Sequence, residues 1–354
     1  MTVRSTNSRP VRAVVYGVGE MGSIVTRLLV ERGVEIVGAI ARSESKVGRD
    51  LGEVADLGRS LDVRIEDDAA AVLRREADIA VVCVGSYLET MASHFMTCLE
   101  NGVNVVTIEE ETVFPWTTAP QNAEALDRTA KANRVTLAAS GVQDVFWLNL
   151  VTTLLGASHR VDRVVGQSVW NVDDYGPEVA RHLHIGATRE EFEKYVAERG
   201  WPEFVARQTL EAMIARLGLS IRSINSKVSP LITDAAVFCR ALGIEIQPGA
   251  LIGTVDKTEV TCVEGPKFSF TIAGRIHREG ESDSNEWRIS GEPDLVLSND
   301  RVPTRFITCS TLVNRIVDTI EAPPGLLSLD MMPTPAFQQE LKLNTADKSF
   351  GTPS

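Results

Sequence analysis

Apolar positions in the first part of the chain alternate between two spacings. RAVVY, EIVGAI, IAVVCV, VNVVTI and VTLAA are short runs with almost no polar face, as strands buried on both sides require. Between them, SIVTRLLVERG, YLETMASHFMTCLENG and APQNAEALDRTAKANR place apolar residues at helical intervals, the first stopping at Gly33. Strand and helix alternating at this spacing predict a doubly wound parallel sheet, a Rossmann domain, over residues 1–140.

The pattern then changes. VDRVVGQSVWNVDDY opens with alternating β-branched residues, and SVWNVDDYGPEVARHLHIG reads as a long polar-aromatic loop region. TREEFEKYVAERG and PEFVARQTLEAMIARLG are amphipathic helices, the first with Thr188 as N-cap. KTEVTCVEG, KFSFTIAGRIHREG and NEWRISGEPDLVLSN predict an antiparallel meander with one packed and one open face. RFITCSTLVNRIVDTIEA is helical and stops before Pro323 and Pro324. The expected class is α/β: the Rossmann domain, then an α+β domain with an open mixed or antiparallel sheet over 141–304 for substrate binding and dimerisation. A C-terminal helix and tail, 305–354, is expected to pack back on the first domain, loosely attached after about residue 338.

A length of 354 residues suits two domains, and 44% hydrophobic with 24% charged residues describes a soluble globular chain. A net charge of -12 disfavours nucleic acid or an anionic membrane as main partner, though not a small anion in a local pocket. No apolar run approaches a membrane span. MTVRSTNSRPVR lacks the apolar core of a signal peptide and reads as a frayed lead-in. The five cysteines form no CxxC pair, which points to buried reduced thiols in a cytoplasmic protein and to no metal site.

The candidate chemistry begins in YGVGEMG, where Gly17, Gly19 and Gly22 keep the spacing of a dinucleotide loop between a strand and a helix. Gly17 permits the turn, Gly19 lets a pyrophosphate approach the backbone, and Gly22 lets helix and strand pack closely, with Glu20 and Met21 in the same turn. Ala41, Arg42 and Ser43 end the second strand where an NAD site usually has a carboxylate. An arginine and a hydroxyl instead suit a 2′-phosphate, so NADP is favoured and NAD stays open. Val84, Gly85 and Ser86 should lie along the cofactor, and Ser140 and Gly141 toward its nicotinamide end. In TIEEETVFPW, three glutamates follow another strand; alone, they read as solvated loop charge.

VYGVGEMG, VGRDLGEV, NGVNVVTIEEETVFPW, ASGVQDVFWLNL and HIGAT together resemble the 2,4-diaminopentanoate dehydrogenase family, which includes the native amine dehydrogenases. The similarity runs along most of residues 10 to 330 and is densest at the start. It implies a dihydrodipicolinate-reductase-like Rossmann domain, a second α+β domain and a homodimer. The implied activity is NAD(P)-dependent oxidative deamination of an amine, or reductive amination of a ketone or aldehyde with ammonia. Two departures bear on the substrate: TIEEETVFP stands where the diaminopentanoate enzymes have TCEELSYP, and GVQDVFW where they have GVNPGF. The bulky Phe-Trp pair suggests a more apolar pocket, favouring simple ketones, aldehydes and their amines over the diamino acid. The paired-histidine motif of dihydrodipicolinate reductases is absent.

Reductive amination needs a carboxylate beside the nicotinamide to hold ammonium or iminium charge and move protons. Ungapped matching to the family pattern puts Glu110 and Glu111 on its glutamate pair; Glu110 is the first choice, Glu111 its rival and Glu109 the bystander. Phe146, Trp147, Trp170, Asn171, His182 and His184 are candidate pocket residues, with Thr308 added by fold analogy. Two alternatives share the scaffold: an ammonia-independent reductase of carbonyls or imines, and a non-catalytic NADP-binding protein.

Overall fold

In the computed structural model, residues 8–202 and 205–344 are described. The lead-in up to Asn7, the helix expected at Glu203 and Phe204, and the tail from residue 345 lie outside them. Chain order in the first part is β1 (Arg12–Tyr16), α1 (Glu20–Glu31), β2 (Glu35–Ile40), β3 (Ile65–Glu66), β4 (Ile79–Val82), α2 (Leu88–Glu100), β5 (Asn104–Thr107), α3 (Pro120–Asn133) and β6 (Thr136–Ala139). All pair in parallel, and the short strand β13 (Gly325–Leu327) adds to the edge, giving the order β13-β6-β5-β4-β1-β2-β3. Both faces are covered: Leu28 and Leu29 of α1 pack with Val15 and Val81 on one side, and Phe95 and Leu99 of α2 with Val14 and Val105 on the other. Continuous apolar strands are the consequence.

The second part holds β7 (Arg160–Asn171), α4 (Gly176–His182), α5 (Arg189–Arg199), α6 (Val205–Arg216), β8 (Ile221–Ile232), β9 (Leu251–Cys262), β10 (Lys267–Arg275), β11 (Ser284–Glu292) and β12 (Leu295–Asp300). The sheet order is β12-β11-β7-β10-β9-β8. This overturns the antiparallel meander. β7 enters between β10 and β11, parallel to the first and antiparallel to the second. β8 was missed, and NEWRISGEPDLVLSN folds as two hairpin strands instead of one. Helix α6 covers one face, with Leu210 and Met213 against Phe268 and Phe270. The segment read as a polar-aromatic loop is also more regular than expected: β7 runs through Trp170 and Asn171, and α4 ends at His182.

After β12 the chain returns to the first sheet through α7 (Thr304–Asn314) and α8 (Ile316–Glu321), which break at Arg315. Leu312 and Ile316 pack in the α1 core. The residues after 338 are not loose up to Asn344: Leu341 is fully buried, and Lys342–Asn344 pairs with Ser8–Pro10. Two apolar side chains, Leu341 and Leu343, anchor it. Among the described residues no helix is long and apolar enough to cross a membrane, and all five cysteines are buried and free.

Arg315 and Asp144 pair at 2.8 Å with both side chains fully buried. Asp144 also accepts from Ser140 Oγ at 2.9 Å and Asn149 Nδ2 at 2.8 Å. Removing one member strands a charge, so Arg315→Met is expected to destabilise by about 3–5 kcal/mol, while Asp144→Leu/Arg315→Met recovers much of that. Urea unfolding of the three proteins checks this; a single variant as stable as the parent would contradict it.

Candidate active site

Strand order reverses between β1 and β4, the place where open α/β sheets bind ligands beyond the strands' carboxyl ends. Gly17 has φ +97, and a Cβ there would lie 2.5 Å from the Cys83 carbonyl oxygen. A Cβ on Gly22 would meet the Gly17 oxygen at 1.9 Å. Gly19, by contrast, has nothing within 4 Å. It is the N-cap of α1 and no side chain caps that helix, so first-turn N–H groups remain available for an anion. The loop therefore fits a dinucleotide pyrophosphate.

Around it, Val84 is 49% exposed, an apolar side chain left in the open beside Gly17. Arg42 and Ser43 are exposed and Ala41 half-buried at the end of β2. The charge of Arg42 reaches both Tyr16 and His94, whose side chains bond at 2.7 Å. Lys46, which sequence reasoning missed, donates to the Val18 carbonyl at 2.6 Å and adds a second cation beside the loop; its proximity to Arg42 in ARSESK was the available signal. Glu20 pairs with Arg305 of α7 at 3.1 Å. Met21 packs against the α1 core. Gly141 lies against Thr308, whose Cγ2 would be 3.3 Å from a Cβ there. The Ser140 hydroxyl is engaged by Asp144.

Strand β5 delivers the three glutamates into a tight turn, and each acquires a different environment. Glu109 is fully buried; its carboxylate accepts from the backbone N–H of Glu111 at 3.0 Å and of Thr112 at 2.8 Å, and from the Thr112 hydroxyl. It closes the turn. Burial pushes its carboxyl up to about 8, against the pull of the Thr112 hydroxyl. Glu111 Oε2 accepts from Leu88 N at 2.9 Å and so caps α2, which has no cap from its own Tyr87 side chain. Glu110 serves neither purpose. Its carboxylate takes a hydrogen bond from Ser86, while Oε2 is buried with no hydrogen-bond partner. Burial raises it to about 7, opposed by Ser86 and by its own backbone N–H.

Tyr87 and Tyr175 lie within electrostatic reach of Glu110: burial raises both hydroxyls, and the charge of Glu110 raises them further. Tyr87 bonds His182 Nε2 through its hydroxyl, with the rings edge to face at 5.3 Å. Trp170 packs on Tyr175 at 5.1 Å. These contacts bring His182 and Trp170 to the edge of the Glu110 site. His184 stacks instead on Tyr195 at 4.1 Å, one layer further out. Trp147 is buried in the second domain against Phe270 at 5.1 Å, and Phe146 is half-buried at the same core's margin. The Asn171 side chain accepts from the backbone N–H of Asp173 and of His277, a local bracing role. Tyr87 lies one residue beyond Ser86 and Tyr175 within the polar-aromatic stretch, and only the fold brings both within electrostatic reach of Glu110.

The 2,4-diaminopentanoate dehydrogenase C-terminal domain family matches residues 146–346, and the dihydrodipicolinate reductase N-terminal family matches residues 11–108. The chain belongs to the 2,4-diaminopentanoate dehydrogenase family. The structure of an amine dehydrogenase from Mycobacterium smegmatis is 46% identical, with a TM-score of 0.91 over 94% of this chain and 98% of that one. A 2,4-diaminopentanoate dehydrogenase from Acetoanaerobium sticklandii is 26% identical over 92% of this chain and 94% of its own length. An amine dehydrogenase from Streptomyces virginiae is 25% identical over 92% of this chain and 98% of its own length. Family membership makes this chain an oxidoreductase of the amine dehydrogenase type with a Rossmann-type fold for a pyridine nucleotide.

Glu111→Ala removes the cap of α2 and is expected to lower stability by about 1 kcal/mol, read as a shifted denaturation midpoint at unchanged m value. An unshifted midpoint would show that the cap contributes nothing.

Proposed function

We propose that this protein catalyses NAD(P)-dependent reductive amination of a ketone or aldehyde with ammonia, and the reverse oxidative deamination, with Glu110 as the catalytic carboxylate. The observation that carries the reading is the partition among the glutamates: Glu109 and Glu111 are occupied by backbone N–H groups, whereas Glu110 keeps a buried oxygen without a partner. A carboxylate placed this way attracts ammonium or iminium strongly because little water screens it. Its elevated pKa, about 7, lets it accept and return a proton near neutral pH. A bound nicotinamide would supply or take up the hydride. Ser86 would orient the Glu110 carboxylate, and the rings of Tyr87 and Tyr175 would exclude water from it. We take the assembly to be a homodimer, on the family resemblance; a monomer mass in sedimentation would overturn that part.

Glu110→Gln is expected to reduce turnover by at least about a hundredfold in both directions while dinucleotide binding, read by nucleotide fluorescence, survives. A variant of undiminished activity would remove Glu110 from the mechanism. Carbonyl reduction that proceeds equally without ammonium would favour the ammonia-independent reductase. The same substitution has a stability signature. Glu110 holds its proton to about pH 7 in the folded chain but only to its ordinary value of 4.5 when unfolded. Its ionisation therefore opposes folding increasingly as pH rises between those values. Glu110→Gln should be more stable than the parent above pH 7, by on the order of 3 kcal/mol, and lose that advantage below its unfolded pKa.

Arg42, Ser43 and Lys46 support a preference for NADP over NAD. Arg42 is exposed at the end of β2, and Lys46 holds the dinucleotide loop from the same side; a 2′-phosphate would find both charges. Arg42→Ala is expected to lower the NADPH-to-NADH ratio of kcat/KM by about tenfold. An unchanged ratio would dismiss the phosphate role.

A further inference from the structure

Helix α7 turns one face to the dinucleotide loop. Arg305, Thr308 and Cys309 stand at i, i+3 and i+4 and so share a side. Arg305 Nη1 donates to Glu20 Oε2 at 3.1 Å. Cys309 Sγ reaches the Met21 carbonyl at 3.7 Å, and Thr308 lies against Gly141. Both ends of the proposed cofactor cleft therefore border on one helix face, and Arg305 brings a positive charge to it.

Glu20 is the first residue of α1, beside N–H groups that no side chain caps. A carboxylate there complements the helix dipole, but its charge opposes an incoming pyrophosphate. The Glu20 side chain is 61% exposed and that of Arg305 42%, so water screens the pair and it contributes little. Phosphate oxygens are stronger partners for a guanidinium, which can meet two of them at once. Among the described residues, Nη1 makes both hydrogen bonds of Arg305, which leaves Nη2 and Nε to donate. The second of those bonds leads toward the catalytic carboxylate: Nη1 also donates to the Asp174 carbonyl at 3.1 Å. Asp174 ends the turn Val172–Asp174, and Tyr175 follows, its N–H bonded to the Val172 carbonyl at 3.2 Å. Tyr175 packs on Trp170 and lies within electrostatic reach of Glu110. Loop and turn are already close, since a Cβ on Gly176 would lie 3.9 Å from Glu20 Oε1. One side chain of α7 thus touches both the dinucleotide loop and the turn that presents Tyr175.

Resting on the dinucleotide reading of the glycine loop, we propose that Arg305 is a cofactor-binding residue that couples the filled loop to the active site. It exchanges Glu20 for the pyrophosphate of a bound dinucleotide and keeps its bond to the Asp174 carbonyl. A guanidinium held by phosphate moves less than one held by an exposed carboxylate. The Tyr175 turn is therefore fixed when the cofactor is present and looser when it is absent. By linkage, the dinucleotide and the amine or carbonyl each favour binding of the other.

Calorimetry of NADPH and of NADH binding to the parent, Arg305→Ala and Arg305→Lys tests the contact. Loss of a charged hydrogen bond is expected to weaken both dinucleotides by about tenfold in Arg305→Ala, with part of the affinity restored in Arg305→Lys. The pyrophosphate is common to both, so a loss confined to NADPH would move Arg305 to the 2′-phosphate and overturn the proposal. Unchanged affinities would overturn it too. Hydrogen exchange tests the coupling. Saturating NADPH should slow exchange of the backbone amides of residues 172–176 in the parent, and that protection should be lost in Arg305→Ala at equal saturation. Equal protection in the two proteins, or none in the parent, sinks the coupling. Thermal unfolding without dinucleotide, read alongside, confirms that the variants fold. A parent that binds neither dinucleotide removes the cofactor reading itself, whereas binding that Arg305→Ala leaves intact removes this inference alone.

Discussion

The buried pair between Asp144 and Arg315 holds the three stretches of the chain in one arrangement. Asp144 lies in the π-helical turn Gln143–Asn149, just past the end of β6, and Arg315 at the break between the C-terminal helices. Ser140 and Asn149 satisfy the remaining oxygens of Asp144. Asn149 in turn accepts from Arg216 at the end of α6, and Arg216 also donates to the carbonyls of Leu329 and Met332. The end of the Rossmann sheet, the helix of the second domain and the C-terminal return thus share one polar network. Such a network tolerates little displacement, because any shift leaves a charge buried without its partner. Gly141 and Thr308 sit beside it, so the inner end of the proposed cofactor cleft is fixed by the same constraint.

Within that frame the glutamate turn separates two structural carboxylates from the one proposed for chemistry. Two carboxylates spend their lone pairs on backbone N–H groups, one closing the turn and one capping α2. The third is desolvated by burial, with Ser86 on its carboxylate and two tyrosines within electrostatic reach. Three adjacent acids in one apolar setting would repel one another if all were charged. Glu109, raised to about 8, and Glu110, raised to about 7, relieve this by holding protons longer than exposed acids do. The site is costly to fold and useful for the same reason.

Much of this was legible in the chain itself. Glycine spacing after an apolar run and before a helical one fixed the dinucleotide loop, because no other residue fits Gly17 or Gly22. The parallel sheet followed from runs with no polar face. The second sheet was less legible. Alternation marks a half-exposed strand but carries no information about its neighbour, so nothing local told β10 to pair with β7 instead of β11. The tail shows the same limit: Leu341 and Leu343 are two apolar residues in a polar stretch, and only the α1 core makes them an anchor.

By itself the sequence determined the Rossmann architecture, the loop for a pyrophosphate, the family and the short list of carboxylates, because each rests on local spacing or on residues adjacent in the chain. Tertiary structure decided which glutamate is unoccupied, that Tyr87 and Tyr175 come within electrostatic reach of it, and that Trp147 belongs to the core. Burial and hydrogen-bond partners are set by distant segments folding together. A side chain's desolvation, and hence its chemistry, is a property of that assembly and of no stretch of sequence alone.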